Sequence, residues 1–82
     1  MTTTFKLKQS EARILIYLEN VDNRFKFARE ISSKLRMDYA YLLARLKDLK
    51  EKNYIKAKRE NNKVYYETTW RAPIEEAKKI NH

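Results

Sequence analysis

Apolar residues recur at helical spacing in three successive stretches of the chain. The first, residues 8–20, is apolar on most of its surface and predicts a core helix. In the second, a narrow stripe of Ala28, Ile31 and Leu35 predicts a short helix with one buried face. The third covers residues 38–52 and predicts a longer helix, whose core-facing stripe consists of Tyr39, Leu42, Leu46 and Leu49.

The turn between the second and third predicted helices is short and contains no glycine. It consists of Arg36-Met37-Asp38. Asp38 is a favourable N-cap, because its carboxylate can accept a hydrogen bond from an exposed N–H group in the first turn of the next helix. Since glycine is absent, Arg36 or Met37 must supply any unusual backbone conformation that the turn requires.

The C-terminal third of the chain predicts a hairpin of two strands, residues 54–59 and 63–69. Asn61-Asn62 lies between them, and because Asn tolerates positive φ, this pair can form a type I′ turn. The register that follows separates an apolar face from a charged one. The first holds Ile55, Ala57, Val64 and Tyr66, and the second holds Lys56, Lys58, Tyr65 and Glu67.

Shorter segments complete the predicted fold. Residues 24–27 alternate polar and aromatic side chains, which predicts a short strand that adds to the hairpin. Pro73 suits the first position of a last helix over residues 73–80. The expected fold class is therefore α+β, mostly α: a winged helix-turn-helix with a three-helix core, a β-hairpin wing and a short C-terminal helix.

Composition limits what such a protein does. The chain has 82 residues, which predict one domain: an arm at 1–7, a core at 8–69 and a C-terminal helix at 70–82. A chain this short buries only about 60% of its unfolded surface, so a dimer interface would add stability. It lacks cysteine and glycine, and its single histidine, His82, has no metal-ligand companion. We therefore expect no metal, no cofactor and no enzymatic activity.

The N-terminal residues lack the apolar region of a signal peptide. The longest apolar run, residues 14–18, is far shorter than the roughly 20 residues that a membrane span needs. These features predict a cytoplasmic protein that does not enter the membrane.

Positive charge is concentrated where the third helix meets the hairpin. The formal net charge is +8, and residues 45–63 alone carry eight basic and three acidic side chains. A localised basic surface is typical of a protein that binds a polyanion. The alternative is a positive face that only keeps the protein soluble.

Several of these segments resemble the winged helix-turn-helix transcription regulators of the MarR-like and archaeal type. The resemblance rests on residues 7–15, 28–31, 46–55 and 64–68, with Leu35 and Leu42 between them. It implies a homodimer on double-stranded DNA, with the Asp38-Lys52 helix in the major groove and the 54–69 wing on the backbone or minor groove. Asn53 stands where that family usually has glycine, Lys8 replaces its usual Ser or Thr helix cap, and no effector pocket is evident.

The candidate DNA-binding residues combine the basic set with positions that the resemblance carries over to the third helix. They are Arg29, Arg36, Tyr39, Ala40, Tyr41, Leu43, Ala44, Lys47, Lys58, Arg59, Asn61, Asn62 and Lys63. Tyr39 is either a core residue or a DNA contact, and its place on the apolar stripe favours the core. Tyr41 is the stronger candidate for a DNA contact. Packing or dimerisation is expected of Phe5, Leu7, Trp70, Ile74, Ala77 and Ile80.

The third helix departs from the family pattern in a way that bears on function. Leu43 and Ala44 occupy places where polar or basic residues are common, so bidentate base readout is not available from this half of the helix. Three functions remain open. The first is a homodimeric transcriptional regulator that is nucleoid-associated through its DNA binding. The others are a nucleoid or partition-type architectural protein and a winged-helix protein–protein interaction module.

Overall fold

The computed structural model describes residues 7–80. Its elements follow the predicted order, with one short 3₁₀ turn between the first two α-helices. They are α1 (Gln9–Asn20), the 3₁₀ turn (Asn23–Phe25), α2 (Ala28–Leu35), α3 (Tyr39–Glu51), β1 (Ile55–Glu60), β2 (Lys63–Thr68) and α4 (Ile74–Ile80). The mostly α, winged helix-turn-helix prediction is confirmed.

The core lies where α1, α2 and α3 meet, and α4 and the start of β1 close it. Each element contributes fully buried aliphatic side chains, and burying one of them stabilises the fold by about 1.5–3 kcal/mol. The largest are Ile14, Leu15 and Leu18 of α1, Ile31 of α2, Leu42, Leu46 and Leu49 of α3, and Ile55 of β1. The predicted stripes of the three helices therefore supply most of the core.

The turn between α2 and α3 is closed by backbone hydrogen bonds and by a side-chain cap. Arg36 adopts the left-handed conformation, with φ 56° and ψ 46°. The Met37 N–H donates to the Ser32 carbonyl at 3.0 Å, and the Tyr41 N–H donates to Asp38 Oδ2 at 3.1 Å. Asp38 is thus the predicted N-cap, and Arg36 supplies the conformation for which glycine is usually needed.

The hairpin has the predicted register. Ile55 pairs with Thr68, and the pairing continues to Glu60 with Lys63. The two turn residues, Asn61 and Asn62, have φ values of 51° and 65°. Positive φ at both central residues is what a type I′ turn requires, so asparagine fulfils the predicted role.

The predicted third strand is wrong. Residues Asn23–Phe25 form the 3₁₀ turn, and only one isolated antiparallel bridge joins Phe27 to Tyr65. The same contact changes the hairpin's charged face. The Phe27 ring meets Tyr65 edge-on, with centroids 6.0 Å apart, and Tyr65 is only 8% exposed. The hairpin pattern places Tyr65 among charged residues, but Phe27 from outside the hairpin covers it.

A partly buried ion pair connects the start of α1 to the end of α3. The Glu11 side chain is 1% exposed, and its Oε2 lies 3.2 Å from Lys52 Nζ. The Lys8 N–H donates to Glu11 Oε1 at 2.9 Å, so Glu11 also satisfies a backbone donor at the start of α1. Glu11 thus supplies the N3 half of a capping box, whereas Lys8 at the N-cap has no side-chain acceptor with which to replace the usual Ser or Thr.

No helix within residues 7–80 has the length and apolar character that crossing a bilayer requires.

Candidate nucleic-acid interface

The outer side of α3 is apolar at its N-terminal end and positively charged further along. Tyr41 and Leu43 are 44% and 39% exposed, and the candidates Ala40, Ala44 and Lys47 are exposed as well. This exposure follows from the helical period, because Leu42, Leu46 and Leu49 turn the opposite side into the core.

Tyr39 is exposed, so the favoured core placement is wrong. Its exposed fraction is 45%, although it lies on the predicted stripe. Tyr39 is the first residue of α3. At that position its ring lies beside α2, where the Arg29 guanidinium stacks over it at 5.8 Å.

An open cleft of about 640 Å³ separates α3 from the wing and the first turn of α2. Five predicted DNA-binding residues share its wall: Arg29, Tyr39, Leu43, Asn62 and Lys63. Tyr66 also lines it, and burial, followed by the nearby Tyr39, raises the pKa of Tyr66 above its ordinary value. The cleft thus has an apolar, aromatic base with basic side chains among its lining residues.

A second cleft, of about 540 Å³, lies on the other side of α3 against α1. It brings Tyr41 next to residues that the sequence analysis did not select: Lys8, Gln9, Ser10, Arg13 and Met37. The polar run Lys8-Gln9-Ser10 precedes the first apolar residue of α1, but nothing in that run indicates contact with Tyr41, 31 positions away.

Tyr41 has defined partners in this second cleft. Its hydroxyl donates to Ser10 Oγ at 3.0 Å, and the Arg45 guanidinium lies 5.0 Å from the centre of its ring. Arg45 is itself paired with Asp48 at 2.8 Å. When Tyr41 is deprotonated, the Ser10 hydroxyl and, second, the Arg45 guanidinium can donate to its oxygen, and this lowers the pKa of Tyr41 below its usual value.

Part of the wing's positive charge is neutralised within the hairpin. Glu67 lies 3.3 Å from Lys58 Nζ and 3.9 Å from Lys56 Nζ, so one carboxylate faces both lysines. Arg59 is exposed and has no ion pair within the described part of the chain, and the same holds for Lys47 on α3. Arg59 and Lys47 therefore present their full charge to solvent.

The remaining candidates lie at the ends of local elements. Lys63 Nζ is 5.4 Å from the centre of the Phe27 ring, and the exposed Asn61 is the first residue of the wing turn. Arg36 is exposed in the turn before α3 and lines neither of the two clefts. The structure thus places the candidates on α3, on the wing and at both ends of α2.

The candidates for dimerisation do not form one exposed patch. Phe5 lies outside the described residues. Leu7, Ile74 and Ile80 are half-buried against the core, whereas Trp70 is 87% exposed and the Arg71 guanidinium lies 4.8 Å from the centre of its ring. Ala77 is completely buried inside the chain, where α4 packs on α1. The dimer role of Ala77 is therefore wrong, because it has no surface to offer a partner.

No group of three or more His, Cys, Asp or Glu side chains is placed to hold a metal ion within residues 7–80.

Solved structures of the Lactococcus lactis protein ZitR are similar to this chain. One ZitR variant aligns with 29% sequence identity over 96% of this chain and 53% of its own, with a TM-score of 0.77. Wild-type ZitR in complex with DNA aligns with 26% identity over 95% of this chain and 53% of its own, with a TM-score of 0.75. The match confirms the predicted likeness to winged-helix proteins.

The chain spans about half the length of the ZitR chains that it matches. No protein-family model and no curated protein sequence matches it.

Proposed function

We propose that this protein is a transcriptional regulator that binds double-stranded DNA as a homodimer. The observation that carries the proposal is a single surface of the winged helix-turn-helix fold. It joins the exposed side of α3, which carries Lys47, to Lys63 and Arg59 on the wing, and Arg59 has no ion pair within residues 7–80. The similarity to ZitR, one structure of which is a complex with DNA, supports it.

In this proposal α3 enters the major groove and the wing lies on the backbone or in the minor groove. Lys47, Arg59 and Lys63 contact phosphates, and so do Arg29 and Arg36 at the two ends of α2. Each phosphate contact releases condensed counterions, so affinity falls steeply as the salt concentration rises.

Sequence preference has a different source from affinity. Ala40, Leu43 and Ala44 offer only apolar contacts, which suit thymine methyl groups, and Tyr41 adds an aromatic ring. Asn61 and Asn62, at the wing tip, are placed to approach the minor groove. Preference then rests on these contacts and on the sequence-dependent shape of the DNA.

The proposed dimer interface is centred on the exposed Trp70, because Leu7, Ile74 and Ile80 are half-buried against the core and offer a partner less surface. A tryptophan that is 87% exposed is unusual for a surface that meets only water, and aromatic residues are enriched in interfaces. Two copies would read half-sites about one helical turn apart. Sedimentation that finds only monomer on and off DNA would remove the dimer from the proposal.

The proposal treats residues 1–82 as one winged-helix domain that acts without catalysis or a cofactor. A role on DNA also implies a cytoplasmic, nucleoid-associated location.

The main test measures affinity for a labelled duplex over a series of salt concentrations. Lys47→Ala with Arg59→Ala removes two proposed phosphate contacts, so log Kd should depend on log salt with a slope smaller by about 1.8. Lys78→Ala with Lys79→Ala is the matched control, because it removes the same charge from α4, where both lysines are already paired with glutamates. A control pair that reduces the slope equally would show that only net charge matters.

The apolar end of α3 favours a second candidate, a protein–protein interaction module. Leu43 is 39% exposed in the middle of the helix, between the exposed Ala40 and Ala44. No affinity of the wild-type protein for duplex DNA at low salt would select this candidate. Strong binding that ignores sequence would instead indicate an architectural protein.

A further inference from the structure

Tyr41 is held on one side of α3 although nearly half of its surface faces solvent. It is 44% exposed, and its hydroxyl is hydrogen-bonded to Ser10 of α1 at 3.0 Å. An exposed tyrosine on a helix normally samples several rotamers, whereas this one is joined to a neighbouring element. Ser10 is half-buried in the first turn of α1, so it is a fixed partner.

Arg45 supports the same ring from the next turn of α3. Its guanidinium lies 5.0 Å from the ring centre and is paired with Asp48 at 2.8 Å. The Arg45 side chain is only 17% exposed, and its Nε is buried with no hydrogen-bond partner among the described residues. Arg45 is therefore turned towards Tyr41 and Asp48, and little of its side chain faces solvent.

We propose that Ser10 and Arg45 are positioning residues that fix Tyr41 for DNA recognition, so that they determine sequence discrimination without contacting a base. The inference rests on the proposed function and adds α1 to the elements that control it. One edge of the Tyr41 ring stays available to the groove while its hydroxyl and one face are occupied by Ser10 and Arg45.

The expected effect follows from pre-organisation. A side chain that is already ordered does not lose rotamer entropy when the complex forms, so the complex is more stable. This entropic advantage applies only to DNA sequences that Tyr41 contacts. Removing the Ser10 hydroxyl should therefore weaken binding to the preferred duplex about three- to tenfold. Binding to mixed-sequence DNA, which depends on phosphate contacts, should change less than twofold.

The experiment first selects a preferred duplex from a random-sequence library with the wild-type protein. Dissociation constants are then measured for that duplex and for a mixed-sequence duplex. The variants are Ser10→Ala, Tyr41→Phe, their combination, Arg45→Met and Ser10→Thr. Lys47→Ala is the control for a phosphate contact and should weaken binding to both duplexes equally.

The proposal predicts a coupled pattern among these variants. Ser10→Ala and Tyr41→Phe each lower the ratio of the two affinities, and their combination lowers it no further, because both remove the same hydrogen bond. Ser10→Thr keeps a hydroxyl, so its ratio of the two affinities should stay close to that of the wild type. Arg45→Met keeps an aliphatic stem but loses the guanidinium, so it should also lower the ratio.

An NMR titration of the Tyr41 ring gives a readout that does not depend on DNA. Since the Ser10 hydrogen bond lowers the pKa of Tyr41, Ser10→Ala should raise it. An unchanged affinity ratio in Ser10→Ala, or additive losses in the double variant, would overturn the positioning role while the proposed function stands. A wild-type protein that yields no preferred duplex because it binds no DNA would overturn both.

Discussion

Replacing Arg36 by glycine should stabilise the fold. Arg36 has φ 56° and ψ 46°, in the left-handed region that carries a steric cost for every residue with a Cβ atom. Its side chain is exposed and makes no hydrogen bond or ion pair within residues 7–80. Arg36→Gly therefore removes a backbone conflict and no contact of the folded chain.

The magnitude is a difference between two backbone terms. The left-handed conformation costs a residue with a Cβ about 1–2 kcal/mol, which glycine avoids. Glycine also gains freedom in the unfolded chain, which reduces the benefit by about 0.5–1 kcal/mol. At the middle of both ranges the net gain is about 0.7 kcal/mol, or roughly 3–6 °C in Tm for a domain of this size.

Thermal and denaturant unfolding of the isolated protein would measure this gain. Arg36→Ala is the matched control, because it removes the same charge and keeps the Cβ, so its stability should stay close to that of the wild type. Ser33→Gly, inside α2, should lose about 0.5 kcal/mol. If Arg36→Ala stabilises the protein as much as Arg36→Gly, the gain comes from removing charge, and the backbone explanation is refuted.

Two further predictions concern acidic residues and their partners. Glu67→Gln removes the carboxylate that faces Lys56 and Lys58, so DNA affinity at low salt should rise. If both lysines then contact phosphates, the slope of log Kd against log salt should increase by about 1.8. An unchanged slope would show that the face of the wing that carries these two lysines does not contact DNA. Lys52→Met leaves the buried Glu11 carboxylate without this partner and should lower the free energy of unfolding by about 1–3 kcal/mol, as measured by chemical denaturation. The loss is smaller than for a fully buried pair, because Lys52 is 38% exposed. The double variant Glu11→Leu with Lys52→Met should recover part of that loss.

The features that local sequence determines were predicted well. The bounds of α2, the Asp38 cap and the register of the hairpin all follow from residues within a few positions of one another. The turn at Asn61 and Asn62 follows from the conformations that asparagine tolerates. These features depend on helical period, capping and turn chemistry, and each of these is visible in a short window of sequence.

The errors come from contacts between distant segments. Phe27 covers Tyr65, which changes the outer face of the wing, and neither the pattern around residue 27 nor the hairpin pattern contains that information. The second cleft was missed for the same reason, because Ser10 and Tyr41 are 31 positions apart. Of the candidate site, the sequence predicts which side chains of α3 are exposed, with the exception of Tyr39, but not which ones neighbouring elements hold.

The two adjacent residues Ser10 and Glu11 contact opposite ends of α3. Ser10 bonds to Tyr41 in its first turn, and Glu11 pairs with Lys52 at its end, about 16 Å further along the helix. Because one turn of α1 is attached at both points, α3 cannot tilt relative to α1 without breaking one of them. In a calorimeter, binding should therefore show a heat-capacity change that matches the buried interface alone, with no contribution from folding coupled to binding.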